Sequence, residues 1–430
     1  MNDMVLWIWL SLSVTPGGTS FKKLIEKFKS PDAVYKAEAG EIISCIGSKS
    51  QDYNSITNKS LDTAKEIYDF CLTKSVGILT YSDPDFPAAL RKIDNPPVLL
   101  YYRGELPDFN SQCFVSVVGT RRLTDYGRKN AFSLAIDLAR SGAIVVSGMA
   151  TGVDGVAMAG AISAGGSTVA FLGSGIDVCY PPEHLRLARE IVKGGCVMTE
   201  YSPGTKPEKY NFPRRNRLIS GISAATVVIE GRINSGAIIT ARCARLQGKA
   251  IYALPGNVDN KTSEVTNLLI KNGAKLITDA TDIIKDFEFV YPGKINPFSI
   301  FEPNRVNMTE VLRELEISCV TPSDDIFKPS GRKRGGKNYS AEKAQKPDDT
   351  IAKPIPADRE ETASYRESEL DFDKDALRVY KKIPYDGACS IEDLAEEGFD
   401  MRQVMRTLLK LEMGKFIVML PGEKVMRNRK

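Results

Sequence analysis

The sequence predicts an α/β protein with a doubly wound, mostly parallel Rossmann-like sheet, flanked by a small helical N-terminal module and a C-terminal winged-helix-like domain. Three observations support this fold class. From residue 114 to about 285, short runs rich in Val and Ile alternate with stretches of helical apolar spacing. These runs are continuously apolar, which is typical of parallel strands covered on both faces. Before residue 75 and again after residue 369, helical spacing takes over and predicts separate units at both ends.

Residues 1–75 are predicted to form the helical module. The segments FKKLIEKF and LDTAKEIYDFCLTK carry apolar residues at i, i+3 and i+4. The first segment, MNDMVLWIWLSLSV, has an apolar run like that of a signal peptide. However, Asp3 precedes that run without any Lys or Arg, and no small-residue cleavage site follows. The helical spacing of Trp7, Leu10 and Val14 therefore favours a buried amphipathic helix.

Residues 76–290 are predicted to form the sheet domain, because βα units joined by short loops build a doubly wound sheet. Its start, residues 78–105, is predicted to hold turns and one strand, VLLYYRG. The parallel strands then follow as FVSVVG, AIVVSG, STVAFLG, CVMTE, ATVVIE, AIYALPG and AKLIT. Helices are predicted between them over 125–141, 153–164, 183–193, 214–221, 236–247 and 263–272, with one short helix at the end.

A linker and a small terminal domain are predicted after the sheet. Residues 321–368 are rich in Pro, Gly, Lys and Asp, so they are interpreted as a flexible linker. Its basic cluster, residues 332–334, is interpreted as part of a solvated tether, with phosphate contact as the alternative. Residues 369–430 show the order helix, helix, helix, hairpin, which is that of a winged helix. Arg402, Arg406 and Lys410 share one stripe of its third helix, and contact with DNA or protein and plain exposure to solvent stay equally open.

Bulk composition limits the possible chemistry. A net charge of +4 over 430 residues says little about partners, so any nucleic-acid signal must come from where the charges lie. His184 is the single histidine, which excludes multi-histidine metal sites. The eight cysteines lack a C-x-x-C pair and predict free thiols in a reducing compartment. No apolar run reaches the roughly 20 residues of a membrane span. We therefore expect a cytoplasmic protein.

The functional site is predicted at the carboxyl ends of the strands, where doubly wound sheets bind ligands. The segments that follow the strands bring together glycines, hydroxyls, helix starts and arginines. They are GTRRLTDYG, SGMATGVDG, GSGIDV, EYSPGTKPEKYNFPRRN, EGRINSGAIITA and PGNVDNKTSEVTN. Free N–H groups at helix starts and the forked guanidinium of Arg both bind phosphate. This edge of the sheet is therefore predicted to hold phosphates.

Two other uses of this edge are less favoured. A dinucleotide site needs G-x-G-x-x-G after the first strand, and GTRRLTDYG lacks it. A magnesium nuclease could use the acidic residues that follow the strands, which are Asp154, Asp177, Glu200 and Glu230. Ion pairing with the neighbouring arginines is the favoured role for these carboxylates. Arg217 in particular is expected to pair with a carboxylate such as Glu200 or Glu230.

An aromatic residue lies among the cations of KYNFPRRNR. Phe212 follows Lys209 and precedes Arg214, an arrangement that suits single-stranded nucleic acid. Bases stack on such a ring while the cations follow the phosphate backbone. The alternative is that Phe212 is a core residue that anchors the loop before Pro213, and the bare sequence leaves both interpretations open.

Several motifs together resemble the DNA processing protein family DprA, also called Smf. They are VVGTRRLTDYG, VVSGMATGVDGVAMAGA, GSTVAFLGSGIDVCYP, TEYSPGT, FPRRNRLISG, SGAIITA, and ALPG followed by TN, and they cover residues 81 to about 285. The pairing of FPRRNR with SGAIITA is highly specific. The resemblance implies a homodimeric single-stranded DNA-binding protein of natural transformation and recombination. Such proteins protect incoming strands and help load the recombinase RecA, and no catalysis, cofactor or metal is expected.

The same resemblance implies which residues contact DNA. The implied set is Arg121, Ser147, Gly148, Lys209, Phe212, Arg214, Arg215, Asn216, Ser235 and Thr240. Arg214 stands at a variable position of the family. Replacing Arg121 or Arg215 by Ala is expected to weaken DNA binding without unfolding the protein. Met158 stands where the family usually has a histidine, which puts the local geometry of the pocket in question. A nucleotide phosphoribohydrolase on a related fold is the enzymatic alternative, but its P-G-G-x-G-T-x-x-E run is missing.

Overall fold

The computed structural model describes residues 2–233, 235–301 and 306–317 of the chain. Near the C-terminus it also describes residues 379–384, 389–390, 394, 404, 407–408, 411, 417–420 and 424–427. Two compact units are present, Met1–Phe327 and Lys328–Lys430. The linker predicted over 321–368, its basic cluster and the predicted basic stripe of the third C-terminal helix lie outside the described residues. The predicted domain boundaries therefore stay predictions.

The N-terminal part of the first unit is helical, as predicted. Its first helix confirms the expected buried helix, because Trp7, Leu10 and the following Val14 are all buried. Asn2 caps this helix by accepting a hydrogen bond from the backbone N–H of Met4 at 3.0 Å. The six helices are α1 (Asp3–Ser13), α2 (Ser20–Phe28), α3 (Pro31–Lys36), α4 (Ala39–Ile46), α5 (Tyr53–Thr57) and α6 (Asp62–Thr73).

A nine-stranded sheet follows, and it confirms the doubly wound, mostly parallel arrangement. The strands are β1 (Gly77–Thr80), β2 (Leu99–Gly104), β3 (Phe114–Val118), β4 (Ile144–Ser147), β5 (Thr168–Phe171), β6 (Cys196–Thr199), β7 (Ala225–Val228), β8 (Ala250–Ala253) and β9 (Lys275–Leu276). Their spatial order is β1-β2-β6-β5-β4-β3-β7-β8-β9. From β6 to β9 all neighbours are parallel, whereas β1 and β2 add an antiparallel edge next to β6. The turn-rich sequence before residue 99 did not predict β1.

The helices predicted between the parallel strands agree with the structure to within a few residues, whereas the short helix Ala88–Arg91 between β1 and β2 was not predicted. The helix α11 begins at Asn211 and not at residue 214, so Phe212 lies in its first turn. Pro213 is compatible with this start, because the first N–H groups of a helix have no partner inside it. The helices are α7 (Ala88–Arg91), α8 (Asp125–Arg140), α9 (Val153–Ser163), α10 (Leu185–Gly194), α11 (Asn211–Ile222), α12 (Gly236–Leu246), α13 (Glu264–Lys271), α14 (Thr281–Ile284) and α15 (Met308–Glu314).

Two hydrophobic clusters cover the two faces of the sheet. One contains buried residues of α8, α9 and α10 and also those of α1, so the N-terminal helices and the sheet share a core. The other contains buried residues of α11, α12 and α13. Helix α8, which follows β3, and helix α12, which follows β7, therefore lie on opposite faces. Because β3 and β7 are neighbours, the crevice between their carboxyl ends is the topological switch point of the sheet.

The C-terminal unit contains a small antiparallel sheet. Its strands are β10 (Cys389–Ser390), β11 (Ile417–Leu420) and β12 (Lys424–Arg427), in the order β10-β12-β11. The pairing of β11 with β12 confirms the predicted hairpin. Eight apolar residues form a core here: Val379, Ile383, Leu394, Val404, Leu408, Leu411, Ile417 and Val425. The predicted helices fall mostly outside the described residues, so the winged helix stays a prediction.

In the parts of the chain that the structure describes, no helix is both long enough and apolar enough to cross a bilayer.

Candidate nucleic-acid interface

The carboxyl edge of the sheet, formed by the loops that follow β3 to β8, is held together at the switch point by Glu230. Its Oε1 accepts hydrogen bonds from the hydroxyls of Thr124 at 2.6 Å and Thr262 at 3.0 Å, and its Oε2 accepts the backbone N–H of Thr124 at 3.0 Å. A Cβ at Gly127 would lie 2.2 Å from Oε2, so only glycine leaves room for this carboxylate. Since Thr124 is the N-cap of α8, Glu230 lies where a phosphate was predicted.

Arg217 forms the ion pair that the sequence predicts, and its partner is Glu200. The two side chains pair in a bidentate way, with Nη1 2.8 Å from Oε1 and Nη2 2.6 Å from Oε2, and both are buried. Glu230, the other partner considered for Arg217, is instead bonded to threonines. The loop at Gly17 of the N-terminal helices packs on this pair, because a Cβ at Gly17 would lie 3.4 Å from the Nε of Arg217. Arg217 therefore joins two parts of the first unit.

Arg215 is a buried residue of α11 with only 3% of its surface exposed. Its Nη1 donates to the backbone carbonyl of Gly148 at 2.8 Å and also to that of Phe171. Burial lowers the pKa of Arg215 to about 10, against the opposing effect of the Asp154 charge, so the guanidinium stays protonated at neutral pH. A Cβ at Gly148 would lie 2.3 Å from Nη1. The missing side chain at Gly148 therefore leaves room for the guanidinium of Arg215.

The remaining acidic residues of this edge also have partners within the protein. Asp154 accepts the backbone N–H groups of Gly148 at 3.1 Å and Ala150 at 3.4 Å. Burial raises the pKa of the Asp154 carboxyl, and the charge of Arg215 opposes that shift. Asp177 accepts the N–H of Gly204 at 2.8 Å. Within the described residues, no three acidic, histidine or cysteine side chains come together as a metal site.

Four of the implied DNA-contacting residues are buried or partly buried at this edge. Ser147 is fully buried, and its hydroxyl donates to the carbonyl of Val117 at 2.7 Å. Thr240 and Asn216 both donate to the carbonyl of Gly236, at 3.4 and 3.5 Å, while Ser235 is the N-cap residue of α12. The structure thus brings Asn216, Ser235 and Thr240 together at the start of α12. Contact with DNA stays a prediction for all four.

Four other implied residues, three cations and one aromatic ring, lie at the surface. Arg121, Lys209 and Arg214 are exposed, Phe212 is half-buried, and within the described ranges none of the three cations is in an ion pair. The Cζ of Arg121 lies 5.6 Å from the centre of the Phe212 ring. The ring itself rests on Gly173, where a Cβ would lie 2.8 Å from the Cδ1 of Phe212.

Two further aromatic residues of this surface were missed in the sequence. Tyr180 lies with its ring centre 5.4 Å from that of Phe212, and the Cζ of Arg214 lies 5.4 Å from the ring centre of Tyr210. The signal that singled out Phe212, an aromatic residue among cations, also applies to Tyr210 in KYNFPRR. Tyr180 has no cation beside it in sequence, so only the fold brings it to this surface.

Comparison with known proteins places the chain among DNA-processing proteins. Residues 77–288 match the family described as DNA recombination-mediator protein A. The Smf protein of Synechocystis sp. is 39% identical over 214 residues, which cover 49% of this chain and 54% of that protein. A putative DNA processing protein DprA of Mycobacterium tuberculosis is 32% identical over 322 residues, 72% of this chain and 80% of that protein. The crystal structure of DprA from Streptococcus pneumoniae superposes with a TM-score of 0.58 at 30% identity, covering 67% of this chain and 99% of that one. The match thus spans only about half the length of the Synechocystis relative.

Proposed function

Because the chain belongs to the DNA recombination-mediator protein A family, also called DprA or Smf, we propose that it binds single-stranded DNA along the carboxyl edge of the sheet. The observation that carries this proposal is the exposed guanidinium of Arg121, whose Cζ lies 5.6 Å from the centre of the half-buried Phe212 ring. The exposed Lys209 and Arg214 lie close to Phe212 in the chain. Cations without an ion-pair partner are free to follow phosphates, and a base can stack on the ring. Duplex DNA keeps its bases stacked inside, so the single strand is the better fit.

The implied residues divide into two roles under this proposal. The exposed Arg121, Lys209 and Arg214 contact phosphates, and Phe212 stacks on a base. Arg215 and Gly148, together with Ser147, hold the ends of β4 and β5 in place beneath them. Asn216, Ser235 and Thr240 surround the start of α12. The start of α12 has no side-chain cap, and apart from the N–H of Ile238, which donates to the carbonyl of Ser235, we propose that its first N–H groups bind a further phosphate.

The family supports a wider role, which we propose as well. The protein protects incoming single strands from nucleases and helps to load the recombinase RecA during natural transformation and recombination. It works as a homodimer in the cytoplasm and performs no catalysis. The assembly of RecA on single strands can be measured through the ATPase rate of RecA. Faster assembly in the presence of this protein would support the loading role. An unchanged RecA assembly rate would contradict it.

A titration with oligonucleotides tests the binding proposal. Fluorescently labelled single strands and duplexes of equal length are titrated with the full chain in EDTA at several salt concentrations. We expect tighter binding of the single strand, a loss of affinity as salt rises, and no need for a metal. Equal or tighter binding of the duplex would contradict the proposal. Incubation of the same strands with magnesium tests the nuclease alternative, and cleavage that EDTA prevents would establish that alternative instead.

A further inference from the structure

Neither burial in the core nor hydrogen bonding explains the position of two tyrosines at the carboxyl edge. Tyr180 is 37% exposed and Tyr210 is 60% exposed, so neither ring is a core residue. Within the described part of the chain, neither phenolic hydroxyl has a hydrogen-bond partner. A large aromatic side chain that leaves both its face and its hydroxyl in solvent is free to offer its apolar face to a ligand.

Both rings lie beside the proposed DNA contacts. The ring of Tyr180 is tilted by 45° against Phe212 at a centre-to-centre distance of 5.4 Å, and Phe212 in turn faces Arg121. The ring of Tyr210 lies under the guanidinium of Arg214, 5.4 Å from its Cζ. Tyr210 is therefore accompanied directly by a cation, and Tyr180 through the ring of Phe212, and these cations would follow the phosphates of stacked nucleotides.

The loops that carry the two tyrosines are fixed to each other. The N–H of Gly175 donates to the carbonyl of Thr205 at 2.9 Å, and the N–H of Gly204 donates to Asp177 at 2.8 Å. These bonds tie the loop that leads to Tyr180 to the segment that leads to Tyr210. The Tyr201 hydroxyl donates to the carbonyl of Asn211 at 3.1 Å and so anchors the start of α11. Because the backbone that carries the two rings is fixed in this way, less conformational entropy is lost when a ligand binds.

We propose that Tyr180 and Tyr210 are base-stacking residues, which together with Phe212 form a three-ring site for unstacked nucleotides of a single strand. This inference rests on the proposed function and adds specificity to it, because stacking requires bases and not only a charged backbone. A protein partner would also use exposed tyrosines, but the guanidinium groups over Tyr210 and over Phe212, the neighbour of Tyr180, favour a strand that carries a phosphate with every base.

The test separates stacking from charge. Tyr180→Leu and Tyr210→Leu remove the ring, Tyr180→Phe and Tyr210→Phe keep it, and Phe289→Leu removes a ring that is 86% exposed elsewhere on the surface. Each full-length variant is titrated with an oligothymidylate and with an abasic oligonucleotide of the same length. We expect each Leu variant to lose about 5- to 100-fold in affinity for oligothymidylate. The Phe variants and the Phe289 control stay within about twofold of the wild type.

The abasic strand gives the decisive comparison. It offers phosphates without bases, so the Leu variants should bind it as the wild type does, with the same dependence on salt. If the Leu variants lose the same affinity for both strands, or lose none for oligothymidylate, the inference is wrong. The proposed function would still stand in that case, provided that the wild type binds single strands. A wild type that does not prefer single strands over duplex would overturn the proposed function, and the inference would fall with it.

Discussion

Neighbouring arginines of α11 have the same charge but different surroundings. Arg214 is exposed and lies over the ring of Tyr210, whereas Arg215 is buried against the carbonyls of Gly148 and Phe171. An exposed guanidinium can exchange water and counterions for a phosphate at little cost. The buried guanidinium of Arg215 already donates from Nη1 to two carbonyls, and removing it leaves those carbonyls without this donor in a low-dielectric environment. The two residues therefore call for different experiments.

Arg121→Ala is expected to weaken single-strand binding and to lower its salt dependence. Loss of one phosphate contact should reduce the slope of log K against log salt by about 0.7 for a single strand. The measurement is the binding constant at several salt concentrations. The matched control is Arg189→Ala, because Arg189 is exposed on α10. A slope that falls equally in both variants would mean that Arg121 acts only through the net charge.

Arg215→Ala is expected to destabilise the fold, contrary to the expectation from sequence that it only weakens binding. The change leaves two buried carbonyls without a donor and leaves Asp154 without its nearby positive charge. We expect a loss of about 3 kcal/mol in the free energy of unfolding, measured in urea. Arg214→Ala, the exposed control, should change it by less than about 0.5 kcal/mol. Equal stability of the two variants would show that burial does not distinguish these arginines.

At the scale of elements, glycines and one carboxylate shape the loops that present the site. Gly148 leaves space for the guanidinium of Arg215, and Gly173 leaves space for the ring of Phe212. Glu230 lies at the start of α8 and accepts three hydrogen bonds there. A phosphate at that helix start would meet a carboxylate of the same sign. The start of α8 itself is therefore closed to a phosphate, whereas Arg121 in the loop before it stays exposed, and this agrees with the absence of a dinucleotide motif in GTRRLTDYG.

Gly173→Ala is expected to reduce single-strand affinity by displacing the ring of Phe212. The new Cβ would lie 2.8 Å from Cδ1, closer than side chains tolerate, so the ring must move. No cation is lost, and the salt dependence of binding should therefore stay as in the wild type. Gly194→Ala is the control, since a Cβ there meets no atom within 4 Å. Unchanged affinity of Gly173→Ala would mean that the position of Phe212 does not matter for binding.

At the scale of the molecule, the N-terminal helices and the sheet depend on each other. They share a hydrophobic cluster in which Trp7 and Leu10 of α1 belong with Tyr101 of β2. The Gly17 loop also packs on the buried pair of Arg217 and Glu200. Both tryptophans of the chain, Trp7 and Trp9, lie on α1, so tryptophan fluorescence reports on these helices alone.

The shared core predicts that the N-terminal helices and the sheet unfold together. The tryptophan transition in urea should coincide with the loss of hydrogen-exchange protection in β3 and β4, because one cooperative unit has one transition. Gly17→Val should shift both to lower urea, since φ is 73° at this residue and valine is strained there. Gly194→Ala again serves as the control. A fluorescence transition well below that of β3 and β4 would show that the helices unfold on their own.

Local patterns explain what could be predicted from the sequence. Continuous apolar runs, helix starts and short motifs are properties of neighbouring residues, and they determined the doubly wound sheet and the family and predicted a site at its carboxyl edge. The pairing of Arg217 with Glu200 was also within reach, because the two lie only 17 residues apart. The weakest predictions concerned β1, whose strand character depends on pairing with β2, and the start of α11.

Only the tertiary structure decided which functional residues face solvent. Arg214 and Arg215 are equivalent in sequence, and their difference arises because the carbonyls that bind Arg215 come from 67 and 44 residues away in the chain. Tyr180 reaches Phe212 for the same reason, through two loops that the sheet brings side by side. The sequence by itself therefore determined most of the elements and the family, and it predicted the edge at which we propose the site. Which of the implied residues are exposed and which are buried depended on long-range packing, and no local sequence pattern encodes that packing.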